Sequence, residues 1–360
     1  MNKGMPDPLH GTGQPQDVLA LPDSLARRDF LRLSAFGLLG LGLPVQWRKW
    51  AFGLEQPELG RVADPTVDVY RGPSFGADWV KTFWQDDVIP LAGAALGDEY
   101  PAHNRVWYEV DGLGFCHSSA IQPVRNDLNQ PVLFAPHAGT LVEVTVPFVD
   151  VYWEPRRDAE FAYRFYYAST HWITGVSRDE QDRLWYRIFD DKFTYSYYAQ
   201  AESFRVIPVS ELTPISSHVP LDEKRIAVDL NRQWMYCYEA GKPVFVSKVS
   251  SGRLQADGSY WTPPGEFITF RKRASRHMVA GNLASGYDLP GVPWVCYITD
   301  NGVAFHGTYW HNDYGTPRSH GCVNLSPAAA KWLYRWTRPV VPSSEMESWV
   351  SYGTSVRIAV

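Results

Sequence analysis

His306-Gly307-Thr308-Tyr309-Trp310 runs by way of Gly315-Thr316-Pro317-Arg318 into Ser319-His320-Gly321-Cys322-Val323-Asn324. A histidine followed, sixteen positions later, by a cysteine in a Ser-His-Gly-Cys turn supplies the parts of covalent acyl transfer: a base, a thiol nucleophile, and backbone amides that can face a developing oxyanion. A free thiol has a pKa of about 8.5, so Cys322 needs an imidazole or a backbone dipole beside it to react near neutral pH. His306 is the expected base, and as a general acid it can return the proton to an amine leaving group. His320 is expected to shape the turn or touch the substrate. The amides of Gly321 and Cys322 are the expected oxyanion donors, since glycine tolerates the dihedrals of a sharp turn. Two other readings stay open: a zinc site of His306, His311, His320 and Cys322, and a buried structural cysteine beside unrelated histidines.

The pattern resembles the signature of the L,D-transpeptidases of the YkuD type, a His, a gap, then Ser/Thr-His-Gly-Cys, an apolar residue and Asn or Arg. Further segments carry the likeness. Arg225-Ile226-Ala227-Val228-Asp229-Leu230 with Trp234-Met235-Tyr236-Cys237-Tyr238 is similar to that family's opening hairpin. Val249-Ser250-Ser251-Gly252, Thr262-Pro263-Pro264-Gly265-Glu266-Phe267 and Gly353-Thr354-Ser355-Val356-Arg357-Ile358 are similar to its later segments. The resemblance implies a catalytic β-sandwich over residues 219–360. It implies catalytic roles for Cys322, His306, His320, Gly321 and Ser319, and substrate contacts from Asn324 and Gly307, whose carbonyl is the only group at that position able to orient His306. The aromatic residues Tyr309, Trp310 and Trp294 can stack on a sugar or line the peptide groove, or belong to the core.

By the same resemblance, the partners are peptidoglycan stem peptides, joined in a 3→3 cross-link with loss of D-alanine, and carbapenems are expected inhibitors. The chemistry requires no cofactor and no metal. Water as acceptor would make an L,D-carboxypeptidase, and a protein acceptor a wall-anchoring transferase. A wall-binding protein with a vestigial site is the reading outside the enzymes. The run Arg271, Lys272, Arg273, Arg276 and His277 presents positive charge to stem carboxylates or is a solvated basic loop.

Four cysteines, Cys116, Cys237, Cys296 and Cys322, are too few for a disulfide scaffold. Near the start, Ala26-Arg27-Arg28-Asp29-Phe30-Leu31-Arg32 precedes an apolar run from Leu33 to Leu43 and resembles a twin-arginine export signal. Residues 1–56 are therefore set aside as signal and linker, and an extracytoplasmic location in the wall or periplasm is expected. The run is too short to span a bilayer, which takes about 20 residues. A net charge of −5 without a long basic run excludes an electrostatic case for nucleic acid.

Val, Tyr, Trp, Phe and Thr are abundant and Gly and Pro recur as punctuation, so the chain reads as mainly β. One amphipathic helix is expected from Ser326-Pro327, with Ala329, Trp332, Leu333 and Trp336 on one face, packed behind the catalytic turn. Upstream lies a weak repeat. Trp107-Tyr108-Glu109-Val110-Asp111-Gly112 and Ser118 to Val124 are echoed by Trp185-Tyr186-Arg187-Ile188-Phe189-Asp190 and Pro208 to Ile215. The first unit, over 61–126, resembles a bacterial SH3-like module, and 131–216 a divergent second one. Such small β-barrels bind the wall or act as spacers.

Overall fold

The computed structural model describes residues 59–281 and 286–360. The twin-arginine segment lies outside the described residues. Three sheets follow one another along the chain.

The first holds β1 (Leu59–Val62), β2 (Thr66–Tyr70), β3 (Trp79–Trp84), β4 (Val88–Leu96), β5 (Val106–Val110), β6 (Gly114–His117) and β7 (Ile121–Val124), in the order β3-β2-β6-β5-β4-β1-β7. The second holds β8 (Thr140–Val144), β9 (Phe148–Tyr152), β10 (Phe161–Tyr166), β11 (Thr170–Arg178), β12 (Leu184–Phe189), β13 (Ser196–Gln200) and β14 (Phe204–Val206), in the order β10-β9-β13-β12-β11-β8-β14. Adding seven to each strand of the first sheet gives the second. In both, a single 3₁₀ turn precedes the last strand, Ser118–Ala120 in one and Ala201–Ser203 in the other.

Trp107 and Trp185 are the second residues of the equivalent strands β5 and β12, and both are fully buried. The second half of the echo falls elsewhere than the sequence suggests. The counterpart of Ser118–Val124 is the turn and strand beginning at Ala201, and Pro208 to Ile215 belongs to the connection that follows. Among the described strands the outer members of each sheet do not pair with each other, so neither sheet closes into a hydrogen-bonded barrel.

The third sheet contains β15 (Lys224–Asp229), β16 (Trp234–Glu239), β17 (Lys242–Lys248), β18 (Gly265–Ala280), β19 (Tyr287–Tyr297), β20 (Ala304–Gly307), β21 (Val323–Leu325) and β22 (Glu347–Ala359). Their order is β17-β16-β15-β22-β18-β19-β20-β21. Two pairs are parallel, β15 with β22 and β20 with β21. The helix α1 (Pro327–Trp336) starts where the sequence places it: Ser326 Oγ accepts from the Ala329 amide at 3.3 Å and Pro327 takes the first helical position.

Strand alternation sorts the third sheet into two faces. Trp294, Cys296, Phe305, Val323 and Leu325 pack on one side with Ala329, Ala330, Leu333 and Trp336 of α1. Val292, Val295, Tyr297 and Ala304 form a smaller cluster on the other, with Met278, Leu289, Trp310 and Cys322 against it. The helix therefore supports the Ser319–Cys322 turn from behind, and the thiol opens on the opposite face. Trp294 belongs to the helix side: it is 1% exposed and packs against Tyr334 at 5.3 Å, which corrects the expectation of a substrate contact.

Both upstream sheets are docked on the third. Trp172 of β11 joins its main core, and Thr170 Oγ1 donates to the Ala274 carbonyl at 2.7 Å. Arg61 of β1, 1% exposed, holds all three sheets at one point. Its guanidinium donates to Gln122 Oε1 at 2.8 Å, to Asp86 Oδ1 at 2.9 Å and to the carbonyl of Tyr309, and lies 4.2 Å over the Tyr166 ring.

Candidate active site

The register of β20 and β21 brings the motif's two ends together. His306 lies opposite Asn324 in the parallel ladder, with Phe305 opposite Val323. Because side chains alternate, His306 shares a face with Asn324 and, two residues back along the chain, with Cys322. His306, Cys322 and Asn324 line one cleft of about 470 Å³, together with Trp310, His320, Ser319, Arg253, Arg318 and, from the β18–β19 hairpin, Met278, Tyr287 and Leu289.

His306 is 3% exposed, and its Nδ1 lies 3.0 Å from the Gly307 carbonyl. A carbonyl only accepts, so Nδ1 carries the proton and Nε2 keeps its lone pair. Burial lowers this imidazole to about 4, against the raising effect of the Gly307 carbonyl. Cys322 is half-buried; burial pushes its thiol up to about 11, against a smaller lowering by a backbone hydrogen bond at Ala304. At rest, a neutral thiol and a neutral imidazole therefore line the same cleft. A side chain at Gly307 would meet Pro293 at 2.9 Å and the Pro327 backbone at 3.1 Å, so the helix side of this strand has room only for glycine.

The turn itself is braided into two upstream segments. Ser319 Oγ accepts from the Gly321 amide at 3.0 Å and donates to the Cys322 carbonyl at 2.5 Å. Of the two amides expected to face an oxyanion, that of Gly321 is thus already engaged, and Ser319 builds the turn. Gly321 takes φ +133°, where a side chain is strained. Its carbonyl accepts from Thr262 Oγ1 at 2.7 Å, and the same hydroxyl accepts from the Gly252 amide at 2.7 Å. The Ser250 and Asn324 backbones exchange two hydrogen bonds, at 3.0 and 2.8 Å. Gln233, 1% exposed, accepts from the Ser251 amide at 2.8 Å. These supports explain why Ser250-Ser251-Gly252 and Thr262-Pro263 accompany the motif. Gln233 was not expected from sequence, and Thr262 only as part of a family-like segment, because nothing local links either of them to the cysteine.

His320 is exposed, beside Trp261 at 5.3 Å and Tyr287 at 5.4 Å, at the rim of the cleft. Trp310 is half-buried, 5.7 Å from the His306 ring. Tyr309 points away: it is 2% exposed, donates to the Pro290 carbonyl at 2.7 Å and stacks on Tyr166. It is a docking residue rather than a substrate contact. The basic run is a correction of another kind. Arg271 and Arg273 pair with Glu347, Arg273 and Arg276 with Asp191, and His277 with Asp190 and Asp288, while Lys272 is buried. The cations in the cleft wall are instead Arg253 and Arg318. Among the described residues no three His, Cys, Asp or Glu side chains converge as metal ligands. All four cysteines are free thiols, and Cys237 and Cys296 share a core without a bond between them.

Residues 223–358 match the family model of YkuD, the L,D-transpeptidase catalytic domain. This part of the chain is a YkuD-type L,D-transpeptidase catalytic domain. The Bacillus subtilis protein YciB, whose name assigns it to the L,D-transpeptidases, is 26% identical over 126 residues, which are 32% of this chain and 62% of that protein. A mutant of the Enterococcus faecium L,D-transpeptidase is 25% identical over 38% of this chain and 50% of that chain, with a TM-score of 0.29. The catalytic domain of the E. faecium enzyme is 27% identical over 38% of this chain and 96% of its own, with a TM-score of 0.29. A Mycobacterium smegmatis L,D-transpeptidase is 17% identical over 51% and 98% of the two chains, with a TM-score of 0.32.

Proposed function

We propose that the protein is a cysteine-dependent peptidoglycan L,D-transpeptidase. Cys322 Sγ attacks the carbonyl of the third, diamino-acid residue of a tetrapeptide stem while His306 Nε2 takes the thiol proton. The tetrahedral adduct collapses with cleavage of the peptide bond, and the proton passes to the departing D-alanine amine. A side-chain amine of a second stem then attacks the thioester, restores the thiol and leaves a 3→3 cross-link. The observation that supports this best is the hydrogen bond from His306 Nδ1 to the Gly307 carbonyl, which leaves Nε2 as the basic atom of an imidazole sharing a cleft with the thiol. Arg253 suits a substrate rich in carboxylates, whereas Arg318 in the same wall is paired with Asp313 at 3.0 Å. No metal or cofactor enters these steps.

Ertapenem acylates the E. faecium catalytic domain and avibactam carbamoylates a related enzyme, so the same sulfur is the expected site of attack here. Export by the twin-arginine route to the wall is part of the proposal; a reporter fused to residues 1–56 should lose export when Arg27→Lys and Arg28→Lys are combined. The decisive experiment is mass spectrometry of products from disaccharide-tetrapeptide with wild type and Cys322→Ala. Cross-linked dimer and free D-alanine from the wild type alone are expected. Release without dimer would make the protein an L,D-carboxypeptidase, and no release would remove the enzymatic reading.

A further inference from the structure

A second buried histidine, in the gap of the motif, borders the same cleft and meets Asn324. His311 is 4% exposed, and its Nδ1 accepts from the Asp313 backbone amide at 3.2 Å. A backbone amide can only donate, so Nδ1 holds the lone pair and the neutral ring carries its proton on Nε2. Deep burial keeps the ring neutral. Nε2 lies 2.9 Å from the amide nitrogen of Asn324, so two N–H donors face each other. In the same orientation Asn324 Oδ1 is buried without a partner, although Asn324 is 2% exposed and lines the cleft. Half a turn of the amide removes the clash of donors, since Oδ1 then accepts from His311 Nε2–H, and it exchanges the orphaned acceptor for an NH₂ that waits for an acceptor in the cleft wall.

We propose that His311 is a positioning residue that fixes the Asn324 side chain with its N–H toward a carbonyl oxygen of the acyl donor bound at Cys322. The inference rests on the acyl-transfer reading above and adds the polarity of this part of the site. Asn324 lies opposite His306 and two residues beyond Cys322, on the face that carries both. A donor buried there without a protein partner is costly until an acceptor arrives. Peptide and lactam carbonyls are such acceptors. The chain His311–Asn324 thus mirrors Gly307–His306: in each, a fixed backbone group sets a histidine tautomer, and the tautomer sets what the cleft presents.

Three measurements on the full chain test this. Long-range ¹⁵N–¹H correlation of the histidine rings should find His311 as the Nε2–H tautomer; the Nδ1–H tautomer would overturn the inference without any activity being measured. Asn324→Asp keeps an acceptor for His311 and removes the donor, so ertapenem acylation of Cys322 should slow about 100-fold while the His311 ring signals persist. His311→Phe should slow it too, and His311→Gln, whose amide can still donate to Asn324, should recover part of the loss. Wild-type acylation rates in Asn324→Asp overturn this inference alone. A wild type that ertapenem never acylates overturns the acyl-transfer reading and this inference with it.

Discussion

A neutral thiol and a neutral imidazole in one cleft have a pH signature of their own. His306 is lowered to about 4, so it stays a competent base down to acid pH, whereas the Cys322 thiol, at about 11, supplies almost no thiolate near neutrality. Acylation by ertapenem, followed by mass spectrometry, should therefore be nearly flat between about pH 5 and pH 9. In His306→Ala only the thiolate reacts, and the rate should climb about tenfold per pH unit over that range. An acid limb with its midpoint near 6.5 in the wild type would mean an ordinary imidazole and would sink the assignment. The grouping of His306 and Cys322 in one cleft and the contact of His306 with the Gly307 carbonyl were legible in the sequence because they depend on neighbours in one short motif. His311 was not: its partner Asn324 lies thirteen positions away across a strand pair, and a histidine's tautomer depends on a hydrogen bond the sequence does not display. Tyr309 and Trp294 were misplaced because an aromatic residue looks the same in a groove and in a core.

At the level of elements, the catalytic turn depends on α1, whose last carbonyls need partners. Two lysines of the sheet provide them. Lys272 Nζ donates to the carbonyls of Tyr334 and, at 2.9 Å, Thr337, and Lys224 Nζ to that of Trp336 at 3.2 Å. Both sit at the helix C-terminus, where a cation is favoured by the helix dipole. Lys272→Met removes the donor from two buried carbonyls, and each should cost about 1–3 kcal/mol. Urea denaturation with an unchanged m-value and a lower midpoint is the expected result; a midpoint within error of wild type would show that the carbonyls find other donors. The helix was legible from its cap and periodicity, whereas the capping lysine was not. Lys272 reads from sequence as one of a basic run, and only the pairing of Arg271, Arg273, Arg276 and His277 with acids from distant strands separates it from them. The repeat was legible where Trp107 and Trp185 mark equivalent strands. It failed at its second half, since a 3₁₀ turn and a short strand carry little sequence pattern.

On the scale of the whole molecule, the upstream sheets contact the loop that joins His306 to Ser319. The Asn312 amide donates to the Ser119 carbonyl at 3.1 Å, His103 Nε2 meets Asp313 Oδ1 at 2.8 Å, and Arg318 reaches Asp64 at 3.8 Å. Arg61 binds the Tyr309 carbonyl in the same loop. The first sheet is therefore a brace for the catalytic loop as well as any wall-binding surface it carries. Arg61→Met leaves Asp86 its pairing with Arg164 at 3.0 Å but strips the buried Gln122 Oε1 and Tyr309 carbonyl of their donor, so it should destabilise the protein by about 1–3 kcal/mol per acceptor and slow Cys322 acylation although Arg61 does not line the cleft. Calorimetry and acylation kinetics on the same sample would test both halves; a lower melting temperature with an unchanged acylation rate would reduce the brace to a structural contact.

Acid should strip the molecule of this order by another route. Burial lowers His171 to about 3, His306 to about 4 and His311 to about 3, so all three bind protons more readily unfolded than folded. Their stabilising contribution is complete above an unfolded pKa of about 6.5 and is lost as pH falls toward the folded values, at up to about 4 kcal/mol per pH unit for three groups. His277, raised by Asp190 and Asp288 against the lowering effect of its burial, has the opposite sign. It is protonated in both states below about 6.5 and does not offset the others there. Against a total stability of about 5–15 kcal/mol, near-UV circular dichroism should show cooperative unfolding between about pH 4 and pH 5.5. Native tertiary signal persisting to pH 3 would show that these rings are charged in the fold, and would also remove the neutral base on which the flat acylation profile depends.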